Sequence, residues 1–408
     1  MTEKFGLIGK TLKHSYSKPI HNLLGDYSYE LFEITPESVG DFVQNCGLNG
    51  FNVTIPYKKD VMTYLDVIDE RALKIGAVNT VVYRDGKKLG FNTDFDGMVY
   101  MLSRAGIEIK DKNVLILGSG GTSATSVAVC EHLGAKSIKI LSRSGEVNYE
   151  NYSQKAFDTN VIINTTPVGM YPENYSCKID LDVFSNLSGV ADAVYNPALT
   201  MLLYQAKKKR LPYSNGLPML VAQAKYAMEH FLNKKVSDSV IEPIIKNLQA
   251  KMKNVVLIGM PGSGKSTVGK LLSQKTGMEF IDTDSLIVKK AGMEIPEIFA
   301  KHGEEYFREL ETEVLKEVGV LTGKIIATGG GVVKNERNYF PLKQNSKIFL
   351  IERDIDKLAS NGRPLSKDAD AIKQLFLERK DKYLAFADVK IDNNGEVNNA
   401  VQGVIDLL

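Results

Sequence analysis

Residues 113–123 read NVLILGSGGTS and residues 254–267 read NVVLIGMPGSGKST. Each is a short apolar run without period-two alternation that runs into glycines and then into a helix-like segment. A run apolar at every position suits a strand covered on both faces of a parallel sheet. Glycines at its carboxyl end let backbone N–H groups turn toward a phosphate at a helix N-terminus. The two stretches therefore predict two α/β domains with parallel sheets, each beginning a nucleotide site.

Working outward from the first, a helical segment over 122–133 precedes SIKIL (137–141), and the apolar runs VIINT (161–165) and VADAV (190–194) follow. This alternation predicts a doubly wound domain over 98–215. Upstream, FGLIG, YELFEI and GFNVT are strand-like, and VVYRDGKKLGF (81–91) carries an Asp85-Gly86 turn between two strand-like arms. Residues 1–97 are thus expected to form a smaller α/β unit, onto which 216–235, apolar at helical spacing, packs back. A polar, Lys-rich stretch with weak helical patterning over 236–252 is the expected connector. After it, a helix over 268–276, KIIAT (324–328) and SKIFLIE (346–352) continue a second alternation across 253–408.

Composition bounds the function. The 408 residues correspond to two or three domains at roughly 150 residues each. The 51 Lys and Arg against 49 Asp and Glu leave a charge of +2, too little to hold the chain on nucleic acid or an anionic membrane. MTEKFGLIGK at the amino terminus has no uninterrupted apolar segment, and no apolar run reaches the roughly 18 residues of a membrane span. Cys46, Cys130 and Cys177 stand far apart in no metal-binding spacing. A cytoplasmic enzyme with small-molecule partners and reduced thiols is expected; sequence does not choose between monomer and homodimer.

Residues 259–267, GMPGSGKST, satisfy G-x-x-x-x-G-K-[ST]. Gly262, Ser263, Gly264 and Thr267 belong to a loop whose amides close on phosphate oxygens; Lys265 neutralises β and γ charge, and Ser266 suits Mg²⁺. FIDTDSLI, GEEYFRELE, ATGGGVV and NGRPLS follow in order. With these segments the last 155 or so residues resemble shikimate kinase, whose fold is a P-loop, NMP-kinase-like α/β domain. The resemblance implies that Asp284, Arg308 and Arg379 hold the substrate, that Gly329, Gly330 and Gly331 form a wall beside it, and that Asp282 joins Ser266 around magnesium. It also implies that Asp284 orients the attacking hydroxyl and that Arg363, in a lid, reaches the transferring phosphoryl group of ATP. The chemistry agrees, since a hydroxylated carboxylic acid needs guanidinium forks and a carboxylate acceptor. DIDKLASN (354–361) lacks an arginine that many relatives carry near the adenine.

In the first half, Gly118, Ser119, Gly120, Gly121 and Thr122 form a glycine turn suited to a pyrophosphate, although the last glycine of the usual pattern is replaced by Ser123. At the end of the next strand, LSRSG offers Ser142 and Arg143 and no acid, which favours a 2′-phosphate and NADP(H). HSYSKPIHN, GFNVTIPYK, GAVNTV, GFNTDFDG, NTTPVGM, DAVYNP and NGLPMLVAQA, in this order, resemble shikimate dehydrogenase across residues 1 to about 235. The resemblance implies an α/β substrate domain beside a Rossmann-like NADP domain. It further implies that Ser15 and Ser17 take the substrate carboxylate, that Thr54, Asn79, Tyr195, Gly216 and Gln223 add contacts, and that Lys58 and Asp94 are the catalytic pair. A lysine beside an aspartate suits a ketone reduction, in which an alkoxide develops and takes up a proton. Outside these motifs Lys58 would read as a surface lysine and Asp94 as a helix cap.

The expectation is a fusion that reduces 3-dehydroshikimate with NADPH and phosphorylates shikimate with MgATP. Two rivals stand beside it: a quinate/shikimate dehydrogenase fused to the kinase, and a metabolite-sensing regulator built from inactive domains.

Overall fold

Three sheets carry the chain, and their strands alternate between cores as the opening motifs require. The computed structural model describes residues 3–13, 15–358 and 369–408. The chain divides into two compact units, Met1–Asn247 and Leu248–Leu408.

The first unit holds two sheets. β1 (Lys4–Gly9), β2 (Ser28–Glu33), β3 (Gly50–Val53), β4 (Val67–Ile68), β5 (Thr80–Arg84) and β6 (Lys87–Phe91) form a sheet of order β2-β1-β3-β5-β6-β4. It is mixed: β1 lies parallel to β2 and β3, while β5 runs antiparallel to β3 and β6. The β5–β6 pair is the hairpin that Asp85-Gly86 predicts, with Asp85 at φ 51° and Gly86 at φ 72°.

β7 (Asn113–Leu117), β8 (Ser137–Leu141), β9 (Val161–Asn164), β10 (Gly189–Asp192) and β11 (Tyr213–Ser214) form an all-parallel sheet of order β11-β10-β9-β7-β8. Its order reverses between β7 and β9, where ligands of doubly wound folds sit outside the carboxyl ends of the strands. Val114 and Ile116 of β7 point into one core with Met98, Met101 and Val129, whereas Leu115 and Leu117 point into another with Leu141, Ile162 and Leu203. This two-sided burial explains the absence of polar alternation in NVLIL. Each fully buried side chain of this size contributes about 2 kcal/mol of transfer free energy.

The Leu217–Leu232 helix returns to the first sheet, with Ala227, Met228 and Phe231 sharing a core with Phe5, Leu7, Tyr29 and Val82. The Phe5 and Phe231 rings stack at 4.4 Å. The Lys-rich stretch expected as a connector is helical over most of its length. A turn at Asp238–Val240 leads into a helix, Ile241–Met252, and the division between the units falls within it. Ile241, Ile244, Ile245, Leu248 and Met252 are buried at helical spacing, an apolar stripe that the surrounding lysines hide from a reading by composition.

In the second unit β12 (Asn254–Ile258), β13 (Glu279–Asp282), β14 (Lys324–Ala327), β15 (Ser346–Glu352) and β16 (Val389–Asp392) form an all-parallel sheet of order β13-β14-β12-β15-β16. Val256 and Ile258 enter one core and Val255 and Leu257 the other, so β12 repeats the logic of β7. Both helices after the glycine turns begin earlier than the sequence suggests, at Gly121 and at Lys265. The last motif residues therefore lie in the first helical turn, where amide N–H groups have no helical partner. No helix among the described residues is long and apolar enough to cross a membrane.

Candidate functional site

In the first unit a cavity of about 770 Å³ is lined by Ser15, Ser17, Thr54, Lys58, Asn79, Asp94, Tyr195, Gly216 and Gln223, together with Lys10, Tyr16, Asn52 and Met170. Lys58 Nζ donates to Asp94 Oδ2 at 2.5 Å, with both side chains partly exposed to the cavity. Asp94 stands in the first turn of the Thr93–Arg104 helix, which Asn92 caps by accepting from Phe95 N. Tight packing against the Leu217–Leu232 helix aligns the two elements: a Cβ on Gly97 would come within 2.7 Å of Met219 O and 2.9 Å of Gln223 Cβ. Asp94 and Gln223 consequently face one space.

Asn79, at 2 % exposure, is fixed by its surroundings, its Oδ1 accepting from Thr93 N at 2.7 Å and from Thr80 Oγ1 at 3.0 Å. Asn52 beside it accepts from the Tyr29 hydroxyl at 2.7 Å and donates to Thr80 Oγ1 at 3.0 Å. The Ser15 hydroxyl accepts from Ser17 N, which holds the two serines in one turn. Tyr16 and Tyr195 meet edge to face at 5.8 Å, and burial, followed by the neighbouring Tyr16, raises the Tyr195 hydroxyl pKa. Gly216 tolerates no side chain, because its Cβ would lie 2.1 Å from the Ala193 carbonyl oxygen.

Of the glycine turn, Thr122 reaches this cavity; Gly118, Ser119, Gly120 and Gly121 lie outside its lining, as do Ser142 and Arg143 at the end of β8. Gly118 has φ 105°, and its α-carbon closes against Thr165 and Thr166, so a larger residue is excluded twice over. Arg143 is exposed, and Ser142 N donates to Val147 O.

In the second unit the loop Gly259–Gly264 follows β12. Lys265 is buried and donates to the carbonyls of Gly259 and Met260 at 2.9 and 3.0 Å, which folds the cation back over its own loop. Ser266 Oγ donates to Asp282 Oδ2 at 2.8 Å, while Asp282 Oδ1 caps the next helix by accepting from Asp284 N. Two hard oxygen donors, adjacent and next to the glycine loop, are of the kind that would hold a magnesium ion.

Arg308 is held by two carboxylates, Glu304 through Nε and Nη2 and Glu311 through Nη1 at 2.9 Å. Arg379 is 2 % exposed; Nη1 donates to Gly330 O at 3.0 Å, whereas buried Nε and Nη2 meet no hydrogen-bond acceptor among the described residues. The Tyr383 hydroxyl donates to the same carbonyl. The three glycines of the wall have three separate reasons to lack a side chain. A Cβ would meet Asp284 Oδ1 at Gly329, Pro261 at Gly330, and the Arg308 guanidinium at 2.3 Å at Gly331. Arg363 lies outside the described residues.

Sequence comparison gives these geometries a family. The family model described as shikimate dehydrogenase substrate binding domain matches residues 7–81, and that of shikimate kinase matches residues 261–408. Shikimate dehydrogenase (NADP(+)) of Clostridium beijerinckii is 38 % identical over 247 residues, which span 56 % of this chain and 91 % of the relative. The chain belongs to the shikimate dehydrogenase family. Its second unit carries a shikimate kinase domain, so one chain joins a dehydrogenase to a kinase.

Among solved structures, a chorismate mutase/shikimate 5-dehydrogenase fusion protein from Clostridium acetobutylicum aligns with TM-score 0.57 and 36 % identity. It covers 61 % of this chain and 97 % of that one. Shikimate 5-dehydrogenase from Thermus thermophilus, solved in complex with NADP(H) and shikimate, aligns with TM-score 0.55 and 26 % identity over 60 % of this chain and 99 % of that one.

Three residues of the shikimate-enzyme sites escape sequence reasoning. Asn52 lies inside GFNVT, where a buried strand position conceals a polar group turned to the cavity. Glu311 closes GEEYFRELE, and its spacing of three from Arg308 was the available signal. Burial, with Asp284 nearby, pushes the Glu311 carboxyl up to about 7 against the pull of Arg308 and Arg379. Asn393, after β16, donates to Ser263 O at 2.8 Å and braces the phosphate loop from a point 130 residues away; no local pattern marks it.

Proposed function

We propose that the chain is a bifunctional enzyme of the shikimate pathway that reduces 3-dehydroshikimate with NADPH and phosphorylates shikimate at its 3-hydroxyl with MgATP. The observation that carries the reading is that each unit offers a site suited to a small hydroxylated carboxylic acid. One is a cavity of hydroxyl and amide groups around the Lys58–Asp94 pair. The other is the glycine wall of the second unit, where buried Arg379 donates to Gly330 O and the flanking Gly329 and Gly331 close on Asp284 and Arg308. A buried guanidinium with open donors is costly unless an anion completes it.

In the first site Ser15 and Ser17 bind the carboxylate, and Thr54, Asn79, Tyr195 and Gln223 bind the ring hydroxyls. Lys58 donates a proton to the carbonyl oxygen as hydride reaches its carbon, and Asp94 orients the ammonium. The Gly118–Thr122 turn takes the pyrophosphate, and Ser142 and Arg143 select the 2′-phosphate of NADP(H). In the second site Arg308 and Arg379 bind the carboxylate, Asp284 orients the attacking hydroxyl, and Lys265 and Arg363 meet phosphoryl charge. Ser266 and Asp282 would hold Mg²⁺, which neutralises charge on the β and γ phosphates. The enzyme is read as cytoplasmic, and as a monomer or homodimer.

A coupled assay tests the whole reading. NADPH oxidation is followed from 3-dehydroshikimate, and ADP release is measured after ATP is added to the same mixture. Both signals are expected in sequence, with the second dependent on the first; ADP release from added shikimate without NADPH oxidation would leave the kinase half alone. Comparing NADPH with NADH tests Arg143, and faster turnover with NADH would remove its role.

A further inference from the structure

Two connections beside the reductase cavity hang from one carboxylate. Asp192, the last residue of β10, is fully buried. Its Oδ1 accepts from Asn164 Nδ2 at 2.8 Å and from Val194 N at 3.0 Å, and its Oδ2 accepts from Thr200 Oγ1 at 2.7 Å. Burial pushes the carboxyl up to about 6, opposed by those three donors.

Asn164 leads into the connection after β9, and Val194 and Thr200 both belong to the 193–200 connection after β10. Asn164 ends β9 and accepts through Oδ1 from Thr166 N at 3.0 Å and Thr166 Oγ1 at 2.6 Å, which sets the loop that carries Met170 into the cavity and packs Thr166 against Gly118. Val194 precedes Tyr195, and Ala193, itself in the cavity lining, is the carbonyl against which Gly216 closes. Thr200 caps the Met201–Lys208 helix by accepting from Leu203 N, and its side chain fills the space beside Gly169, at φ 96°. Asp192 is absent from the cavity lining, so it acts on the reaction only through these neighbours.

We propose that Asp192 is a positioning residue of the reductase, holding Tyr195 and the Thr166–Met170 loop at the height where they meet the substrate. The inference rests on the reductase reading above, which the unmodified chain tests separately by its NADPH oxidation. Loss of three charge-assisted or backbone bonds lets these segments drift, and a displacement of about 1 Å at a reacting site costs up to about 100-fold in rate.

The test compares Asp192→Ala and Asp192→Asn in the full chain. In Asp192→Ala the KM for 3-dehydroshikimate should rise at least tenfold and kcat fall. Asparagine keeps an oxygen toward Asn164 and Val194, and its Nδ2 can donate to Thr200 Oγ1 in place of the bond it received, so it should return the KM to within threefold of the unmodified chain. A merely structural role would lower kcat with the folded fraction and leave every KM unchanged. Unchanged KM in folded Asp192→Ala, or failure of asparagine to restore it, overturns the proposal. Should Asp192→Ala not fold, Thr200→Val removes one donor and must raise the same KM three- to fivefold; no rise is equally fatal.

Discussion

At the scale of single residues, charge placement separates the two chemistries. Lys58 meets Asp94 at 2.5 Å in a partly exposed wall, while Lys265 is buried against the carbonyls of its own loop. Lys58→Met should lower reductase turnover about 100-fold or more, as expected for loss of a proton donor, and leave kinase turnover unchanged. Lys265→Met should do the reverse, and measuring both activities on each variant supplies its own folding control. Glu311 gives a pH test. Its folded carboxyl, pushed up to about 7 from 4.5, binds a proton more tightly than the unfolded one. Its contribution to stability is therefore full below about 4.5 and lost as pH rises through about 7. Denaturant midpoints of the kinase unit should show this fall, on the order of 1–3 kcal/mol, relative to Glu311→Gln; parallel pH curves for the two proteins would refute it.

At the scale of elements, two glycines make opposite predictions from similar crowding. A Cβ on Gly331 meets the far end of the Arg308 side chain, which can swing aside. Gly331→Ala should therefore keep the kinase unit stable yet raise the KM for shikimate about tenfold, with the KM for ATP unchanged. A Cβ on Gly216 meets the Ala193 backbone carbonyl, which cannot move without β10 and its loop. Gly216→Ala should destabilise the first unit by about 1–3 kcal/mol, read as a lower denaturant midpoint. The strands β7 and β12 were legible in sequence because burial on both faces removes polar alternation. The Ile241–Met252 helix was only weakly legible, because its stripe of buried Ile and Leu is diluted by the polar and lysine positions between them. The late start assigned to the helices after both glycine turns has a similar cause, since glycine, serine and threonine carry little helix signal although the chain is already helical there.

At the scale of the whole molecule, two units with separate sheets and separate cores lead to an expectation of two unfolding transitions. NADP should raise one and MgATP the other, each by about 2.7 kcal/mol at a ligand concentration 100 times its Kd. Calorimetry with each ligand alone checks this; a single transition shifted by both would show that the units unfold together. The sequence by itself determined the number of nucleotide sites, the α/β class and the motif residues, because strand burial and glycine turns are local in origin. Lys58 and Arg308, ordinary by local chemistry, were marked by family resemblance. Only the tertiary structure decided the buried polar groups that hold those motifs in place, Asn52, Asp192, Glu311 and Asn393. Their partners come from other strands and helices, and a buried polar side chain acquires its purpose only when distant donors and acceptors close around it.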